Sequence, residues 1–346
     1  MITIRTSSRL HFGLLSLAPE GSAWETRSGG AVLLARSFGG VGLMVEQPGM
    51  ELTLAAADSW SVSCTQAGSL AERALALARH FAAAVHGSTP CAIEIRKAVP
   101  EHVGLGTGTQ LALAIGRGLA RLWGLDHDLA TLTRLTGRGR RSGLGAHGFA
   151  RGGFLVETGK RPSDILAPLA IRLDFPEAWS ILLVMPHDRQ GLHGSPERQA
   201  FESMGHAQAQ VALGSAGRSS LRSANTDALC RLVLLGMVPA LLALDADTFG
   251  EALYDFNQRA GEPFAVVQGG IYSSSWTVRW VDWLRGQGVK GVGQSSWGPT
   301  VFAVIGDPER AAWLARRLAE EKGGSADQVI TTRACNQGAT TLEQAN

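Results

Sequence analysis

The run Pro100-Glu101-His102-Val103-Gly104-Leu105-Gly106-Thr107-Gly108-Thr109-Gln110, followed at once by Leu-Ala-Leu-Ala-Ile, constrains this chain more than any other stretch. Ile93, Ile95, Lys97 and Val99 fall at strand spacing before it, and an apolar helical pattern follows it to about Trp123. A strand that ends in glycines and reopens as a helix is also an anion site. Glycines let backbone N–H groups turn toward a ligand, and a helix start carries roughly half a positive charge. Phosphate or pyrophosphate is the expected guest. A tight turn without a ligand would use the same glycines, but Thr107, Thr109 and Gln110 add donors beside them. The spacing is neither G-x-x-x-x-G-K-[ST] nor G-x-G-x-x-G, so the common nucleotide motifs do not apply.

At 346 residues the chain is long enough for two domains. The Lys160-Arg161-Pro162-Ser163-Asp164 segment reads as a linker, which divides the chain into 1–165 and 166–346. Residues 1–17 read as a strand pair, and Val41–Val45 and Leu52–Ala56 read as a hairpin around Gln47-Pro48-Gly49. Ser69-Leu70-Ala71-Glu72 has the form of a capping box. Helical patterns cover about 126–136, 198–213, 226–244, 247–260, 276–287 and 307–322, and strand patterns cover 153–157, 179–185, 289–293, 300–305 and 327–333. This order predicts an α+β fold with helices on one face of each sheet.

A formal net charge of +2 argues against a nucleic-acid partner. Four scattered cysteines have no metal spacing and read as reduced thiols of a cytoplasmic protein. No run of about 18 uninterrupted apolar residues suggests a membrane span.

Three further stretches carry candidate chemistry. Arg138, Arg140, Arg141, Ser142 and Gly143 place guanidiniums among glycines, suited to phosphate or carboxylate, although a solvated basic turn would look the same. Gln294, Ser295, Ser296 and Trp297, bracketed by glycines, offer orienting polar groups and one aromatic face for a planar ligand or a sugar; the other reading is a hairpin corner with Trp297 in the core. Arg9 and His11 alternate on one strand, as a site or a plain surface strand would have them. His187, His193 and Glu202 lie in a loop without the spacing of a structural zinc site.

Taken together, Arg9–Gly13, Gly104–Gln110, Arg141–Gly143 leading to Gly152–Phe154, and Gly291–Thr300 resemble one branch of the GHMP kinase superfamily, the β-ribofuranosylaminobenzene 5′-phosphate synthases. The resemblance spans nearly the whole chain. It implies a two-domain GHMP-kinase-like fold, with a ribosomal-protein-like N-terminal domain and a ferredoxin-like C-terminal domain. The implied reaction is a decarboxylating transfer from phosphoribosyl pyrophosphate to 4-aminobenzoate or a related 4-substituted benzoate, an early step of tetrahydromethanopterin synthesis. The expected roles follow from it. Gly104, Leu105, Gly106, Thr107, Gly108, Thr109 and Gln110, with Arg140, Ser142 and Gly143, would hold phosphate, with Mg²⁺ on the diphosphate. Arg9, His11 and Arg141 would be catalytic. Arg27, Gln294, Ser295, Ser296 and Trp297 would bind substrate. A cytoplasmic homodimer is expected.

The kinases of this superfamily carry a second Ser where Gly108 stands and an acid where Gly145 stands. Both departures favour the synthase over an ATP-dependent kinase. The other alternative is a binding protein that keeps the loop without turnover.

Overall fold

The computed structural model describes residues 1–17, 23–25, 32–34, 36–65, 69–87, 89–187, 191, 225–321 and 327–344. Two sheets organise them. The first has seven strands, in the order β13-β1-β4-β6-β5, with β7 on β4 and β8 on β7. Here β1 is Ile2–Leu14, β4 Gly40–Ala56, β5 Ser61–Cys64, β6 Cys91–Lys97, β7 Phe154–Glu157, β8 Leu169–Leu173 and β13 Thr340–Glu343. A separate ribbon pairs β2 (Ala23–Glu25) with β3 (Val32–Leu34).

The strand pair expected in residues 1–17 is one strand, β1. The expected hairpin at Gln47-Pro48-Gly49 is a bulge inside a second long strand, β4. Thr6 faces Met50 and Ser8 faces Val45, so the extra residues of β4 bulge at Pro48. Beyond that bend the two halves of β4 part: Glu51–Ala56 pairs with β6 and Gly40–Leu43 with β7.

Helix α1 (Leu70–Ala84) and the glycine-loop helix α2 (Thr107–Leu122) pack on each other, and α2 lies against β1 and β4. Ser69 sits at the cap of α1, but its hydroxyl bonds Glu101 at 3.3 Å rather than the helix backbone. Asp128 accepts from Thr131 N–H at 2.7 Å and starts α3 (Leu129–Leu135). The basic, glycine-broken stretch that follows enters α4 (Leu144–Arg151).

The second sheet runs β10-β11-β9-β12, all antiparallel: β9 is Ser180–Met185, β10 Gly291–Gln294, β11 Val301–Ile305 and β12 Gln328–Thr332. Counted within this unit the order is 4-1-3-2 with helices between, the split βαββαβ arrangement of ferredoxin-like folds. Its helices are α5 (Asn225–Leu242, with a π-helical stretch Leu232–Met237), α6 (Ala246–Gly261), α7 (Ser275–Gly286) and α8 (Pro308–Glu321). The expected helix at 198–213, like His193, Glu202 and Arg27, lies outside the described residues.

Helices cover both faces of this second sheet, not one. Ile181, Leu183, Met185, Phe302 and Val304 belong to the main core with Phe249 and Phe256 of α6. Leu182, Val184, Val301, Ala303 and Ile305 belong to a second core with α7 and α8. The period-2 alternation of β9 and β11 thus feeds two cores. The main core is continuous into the first sheet, where Phe12 of β1 meets Phe302 of β11 at 5.1 Å between ring centroids.

The chain passes from the first sheet to the second between Leu173 and Ser180, and β13 returns to pair with β1. Helix α5 is the described helix long and apolar enough to cross a membrane. It carries Asp227 and Arg231 and packs Leu229, Val233, Met237, Ala240 and Leu241 into the core.

Candidate active site

The glycine loop is clasped from two sides. On one side β1 runs along it: Arg9 N–H donates to the Leu105 carbonyl at 2.9 Å. On the other, the 295–300 loop closes over it. Ser295 Oγ donates to the Gly104 carbonyl at 2.8 Å, and the Thr300 hydroxyl and N–H reach the Val103 carbonyl at 2.6 and 3.3 Å. The 295–300 loop also holds β1, through His11 N–H to Ser295 Oγ at 3.0 Å and Ser296 N–H to the His11 carbonyl at 3.0 Å. Asn257 of α6 completes the junction, bonding the Phe12 carbonyl at 2.6 Å and both backbone groups of Gln294 at 3.0 Å.

Gly104 has φ +92°, and a Cβ there would run into the Ser295 carbonyl, so only glycine fits. Gly106 caps α2 in the left-handed region, and Thr109 and Gln110 return their N–H groups to its carbonyl. Thr107 and Gly108 head the helix. The Thr107 hydroxyl is spent on the Pro100 carbonyl at 2.8 Å, so the helix offers a ligand its backbone N–H groups, its dipole and Thr109, which lines the cavity.

A cavity of about 400 Å³ opens over this loop. It brings together Arg9, His11, Gly104 through Thr109, Arg140, Arg141, Ser142, Gln294, Ser296 and Trp297, from four distant stretches of sequence. Three expected residues are set back from it. Gln110 is buried and donates to the Gly145 carbonyl at 2.9 Å, bracing α2 against α4. Ser295 is the buried clasp just described. Gly143 gives its N–H to Glu157 at 2.7 Å at the start of α4. Gln294 borders the cavity, yet its amide is spoken for by Ser273 N–H and the Ser296 carbonyl, both at 2.8 Å.

The cavity is graded along the loop. Beside Gly104 lies the backbone of Ser295 and Gly298; Trp297, carried on the same loop, meets Phe264 edge-on at 4.9 Å between ring centroids, and both rings belong to residues that line the cavity. Beside Gly106 lies Arg9, its Nε 3.4 Å from where a Cβ would stand. Beside Gly108 lie the guanidiniums of Arg73 and Arg138. Arg73, Phe264 and Tyr272 were missed by the sequence reading. They lie outside the glycine-rich motifs, and only the fold carries α1 and the turn after α6 to the cavity.

Electrostatics separates the members. His11 is held well below the usual histidine range, first by burial and then by Arg9, so it is a neutral hydrogen-bonding group. Burial, with Arg73 and Arg140 nearby, lowers Arg138 to about 10. Behind the cavity, Glu157 is fully buried and raised to about 7 by desolvation; hydrogen bonds from Ser142, Gly143 and Leu144 and the charge of Arg9 act the other way.

No Asp or Glu lines the cavity among the described residues, and no His, Cys, Asp and Glu cluster of three or more suited to a metal occurs among them. Magnesium takes carboxylate and other oxygen ligands in octahedral geometry. A wall of arginines with a few hydroxyls does not fit that need. Negative charge in this cavity is met by guanidinium and by the helix terminus.

The models of the GHMP kinases N-terminal domain and of the GHMP kinases C-terminal domain match residues 69–153 and 237–323. The fold is shared with a homoserine kinase from Cytophaga hutchinsonii (TM-score 0.57, 16% identity, 98% of this chain and 97% of that one) and with mevalonate diphosphate decarboxylase from Staphylococcus aureus (TM-score 0.61, 13% identity, 99% of each). The chain belongs to the GHMP kinase superfamily. Within it, the chain groups with the β-ribofuranosylphenol 5′-phosphate synthases: those of Methanothermobacter thermautotrophicus and Archaeoglobus fulgidus are each 29% identical to it over 98% of both chains.

Proposed function

We propose that the protein is a pentosyltransferase that joins phosphoribosyl pyrophosphate to a 4-substituted benzoate, releasing carbon dioxide and pyrophosphate and leaving a C-riboside 5′-phosphate. The observation that carries this reading is the make-up of one cavity: a guanidinium-walled helix terminus at Gly108, Arg9 at Gly106, and Trp297, paired edge-on with Phe264, on the loop that closes over Gly104. The full-length relatives, named for a ribofuranosylphenol product, support it. Their name also shifts the expected acceptor. A phenol product calls for 4-hydroxybenzoate, an aniline product for 4-aminobenzoate.

In this reading the diphosphate lies on the Gly106–Thr109 terminus, and the arene lies against Trp297 and Phe264. The bond from ribose C1 to the diphosphate oxygen breaks, and its electron pair leaves with pyrophosphate. Arg140 and Arg141 stabilise the charge that grows there. The para substituent pushes electron density to the ring carbon that bears the carboxylate, and that carbon bonds to C1. The C–carboxylate bond then returns its pair to the ring as carbon dioxide departs, so no proton must be removed from that carbon. Arg9, between the two ends, is placed to hold the carboxylate until it leaves. Neutral His11 orients the reactants. Arg27, the other expected carboxylate anchor, is outside the described residues. Magnesium belongs to this reading as a companion of the diphosphate substrate, not as a resident of the protein. A cytoplasmic homodimer is part of the same proposal.

A kinase reading has less support. The position of the kinase acid, Gly145, has no room for one: a Cβ there would stand 2.9 Å from the Thr109 methyl group. The place of the second Ser, Gly108, is occupied by the Arg73 guanidinium.

The test is to incubate the protein with Mg²⁺, phosphoribosyl pyrophosphate and carboxyl-labelled 4-hydroxybenzoate or 4-aminobenzoate, and to follow labelled carbon dioxide and pyrophosphate. Equal release of both is expected. Pyrophosphate without carbon dioxide means a different acceptor, and neither product with either acid overturns the reading.

A further inference from the structure

We infer that Arg73, which lies outside the motifs read from the sequence, joins Arg138 of the basic stretch in a guanidinium clamp for the terminal phosphate of a diphosphate, and that free inorganic pyrophosphate is therefore a ligand of this site. The inference deepens the phosphoribosyl pyrophosphate reading and rests on it for the identity of the natural ligand.

Arg73 stands on α1, and Arg138 lies between α3 and α4. The two side chains converge on one point of the loop: Arg73 Nη2 fills the space where a Gly108 Cβ would be, and Arg138 Nη1 lies 3.7 Å from it. Glu101 aims Arg73. It receives the guanidinium in an ion pair and the Ser69 hydroxyl at 3.3 Å. Arg138 has no such partner among the described residues, and its Nε is buried with no hydrogen-bond partner. Burial and the neighbouring charges of Arg73 and Arg140 lower its affinity for its own proton. Cations are thus crowded at the positive end of a helix with one carboxylate, Glu101, to balance them. That arrangement costs free energy until a multiply charged anion arrives, and it is then already oriented.

The neighbouring residues narrow the ligand class. Gly108 is faced by Arg73 and Arg138 and flanked by Thr107 and Thr109, and the aromatic side chains that line the cavity, Phe264, Tyr272 and Trp297, come from the second domain. A diphosphate that ends in a bare phosphate fits this end.

Calorimetric titration of inorganic pyrophosphate into the full chain tests this, with Arg138→Met as the main variant and Arg138→Lys beside it. Arg138→Met removes a crowded charge without a partner among the described residues, so the melting temperature should not fall below the wild-type value. Arg73→Met is read only if it also keeps that melting temperature. The expected result is that the wild type binds pyrophosphate, that Arg138→Met weakens the affinity at least tenfold, that Arg138→Lys recovers part of it, and that ATP does not displace the ligand. Equal pyrophosphate affinity in wild type and Arg138→Met overturns the clamp, as does tighter binding of ATP than of pyrophosphate. Turnover separates the two ideas. Pyrophosphate binding through Arg138 without C-riboside formation removes the proposed reaction and leaves the clamp. C-riboside formation with unchanged KM for phosphoribosyl pyrophosphate in Arg138→Met removes the clamp and leaves the reaction.

Discussion

The hydroxyl of Ser295 donates to the carbonyl of Gly104 at 2.8 Å across 191 residues of sequence. The same hydroxyl accepts the His11 N–H at 3.0 Å, so one buried side chain ties the glycine loop, β1 and the 295–300 loop together. Ser295→Ala leaves a buried donor and a buried acceptor without this partner, a cost of about 1–3 kcal/mol. A lower denaturant midpoint at unchanged m-value, with a raised KM for phosphoribosyl pyrophosphate, is the expected outcome.

Arg9 lies along Gly106, between the cationic and aromatic ends of the cavity. Arg9→Gln keeps some hydrogen bonding and removes the charge. Loss of a guanidinium that pairs with a bound carboxylate costs roughly 2–5 kcal/mol, about 10¹–10³-fold in affinity. Steady-state kinetics should show a fall of that order in kcat/KM for the benzoate; a wild-type value would remove Arg9 from the reaction.

Gly108→Ala separates folding from binding. Alanine inside a helix is favoured over glycine by about 1 kcal/mol. The new methyl group must displace the flexible end of Arg73, so the clamp opens while the helix gains. Thermal melting should show no loss of stability while pyrophosphate affinity falls; the reverse pattern would place Arg73 away from the ligand.

Glu157 predicts a pH dependence of stability. Its folded carboxyl is raised to about 7, above the ordinary glutamate value of 4.5, because it is desolvated. A raised acid binds its proton more tightly when folded. Its stabilising effect is complete below about 4.5 and is lost as pH rises through about 7, a change on the order of 1–3 kcal/mol. Charged Arg9 acts against this shift from the site side. In Glu157→Gln this loss between pH 5 and 8 should disappear from urea titrations; a wild-type pH profile would mean that Glu157 stays ionised throughout.

Phe264 reaches the cavity from the turn after α6 and meets Trp297 edge-on. Phe264→Ala should raise KM for the benzoate severalfold and leave KM for phosphoribosyl pyrophosphate unchanged. Equal effects on both would move the arene elsewhere in the cavity.

Much of the site was legible because it is local chemistry. The order of strand, glycines and helix at 91–122 is written in consecutive residues, and so is the donor-rich 294–300 loop. Which of those residues face a ligand was not. Gln110, Ser295 and Gly143 stand in the same motifs as the lining residues, yet their polar groups are turned into α4, β1 and Glu157. A motif records that a donor is needed, and the partner that takes it can lie hundreds of residues away.

The same division applies to the fold. By itself the sequence determined the local elements: the two-fold alternation of β9 and β11, the amphipathic helices, and the turn that opens α2, because each is set by side-chain period and backbone freedom over a few residues. Tertiary structure alone decided that Gln47-Pro48-Gly49 would bulge within one strand, because β1 pairs with both halves of β4. It alone returned β13 to the first sheet and brought Arg73, Arg138 and Phe264 to one cavity. Those outcomes depend on which surfaces bury each other and which charges are left facing a shared space, and no run of neighbouring residues contains that information.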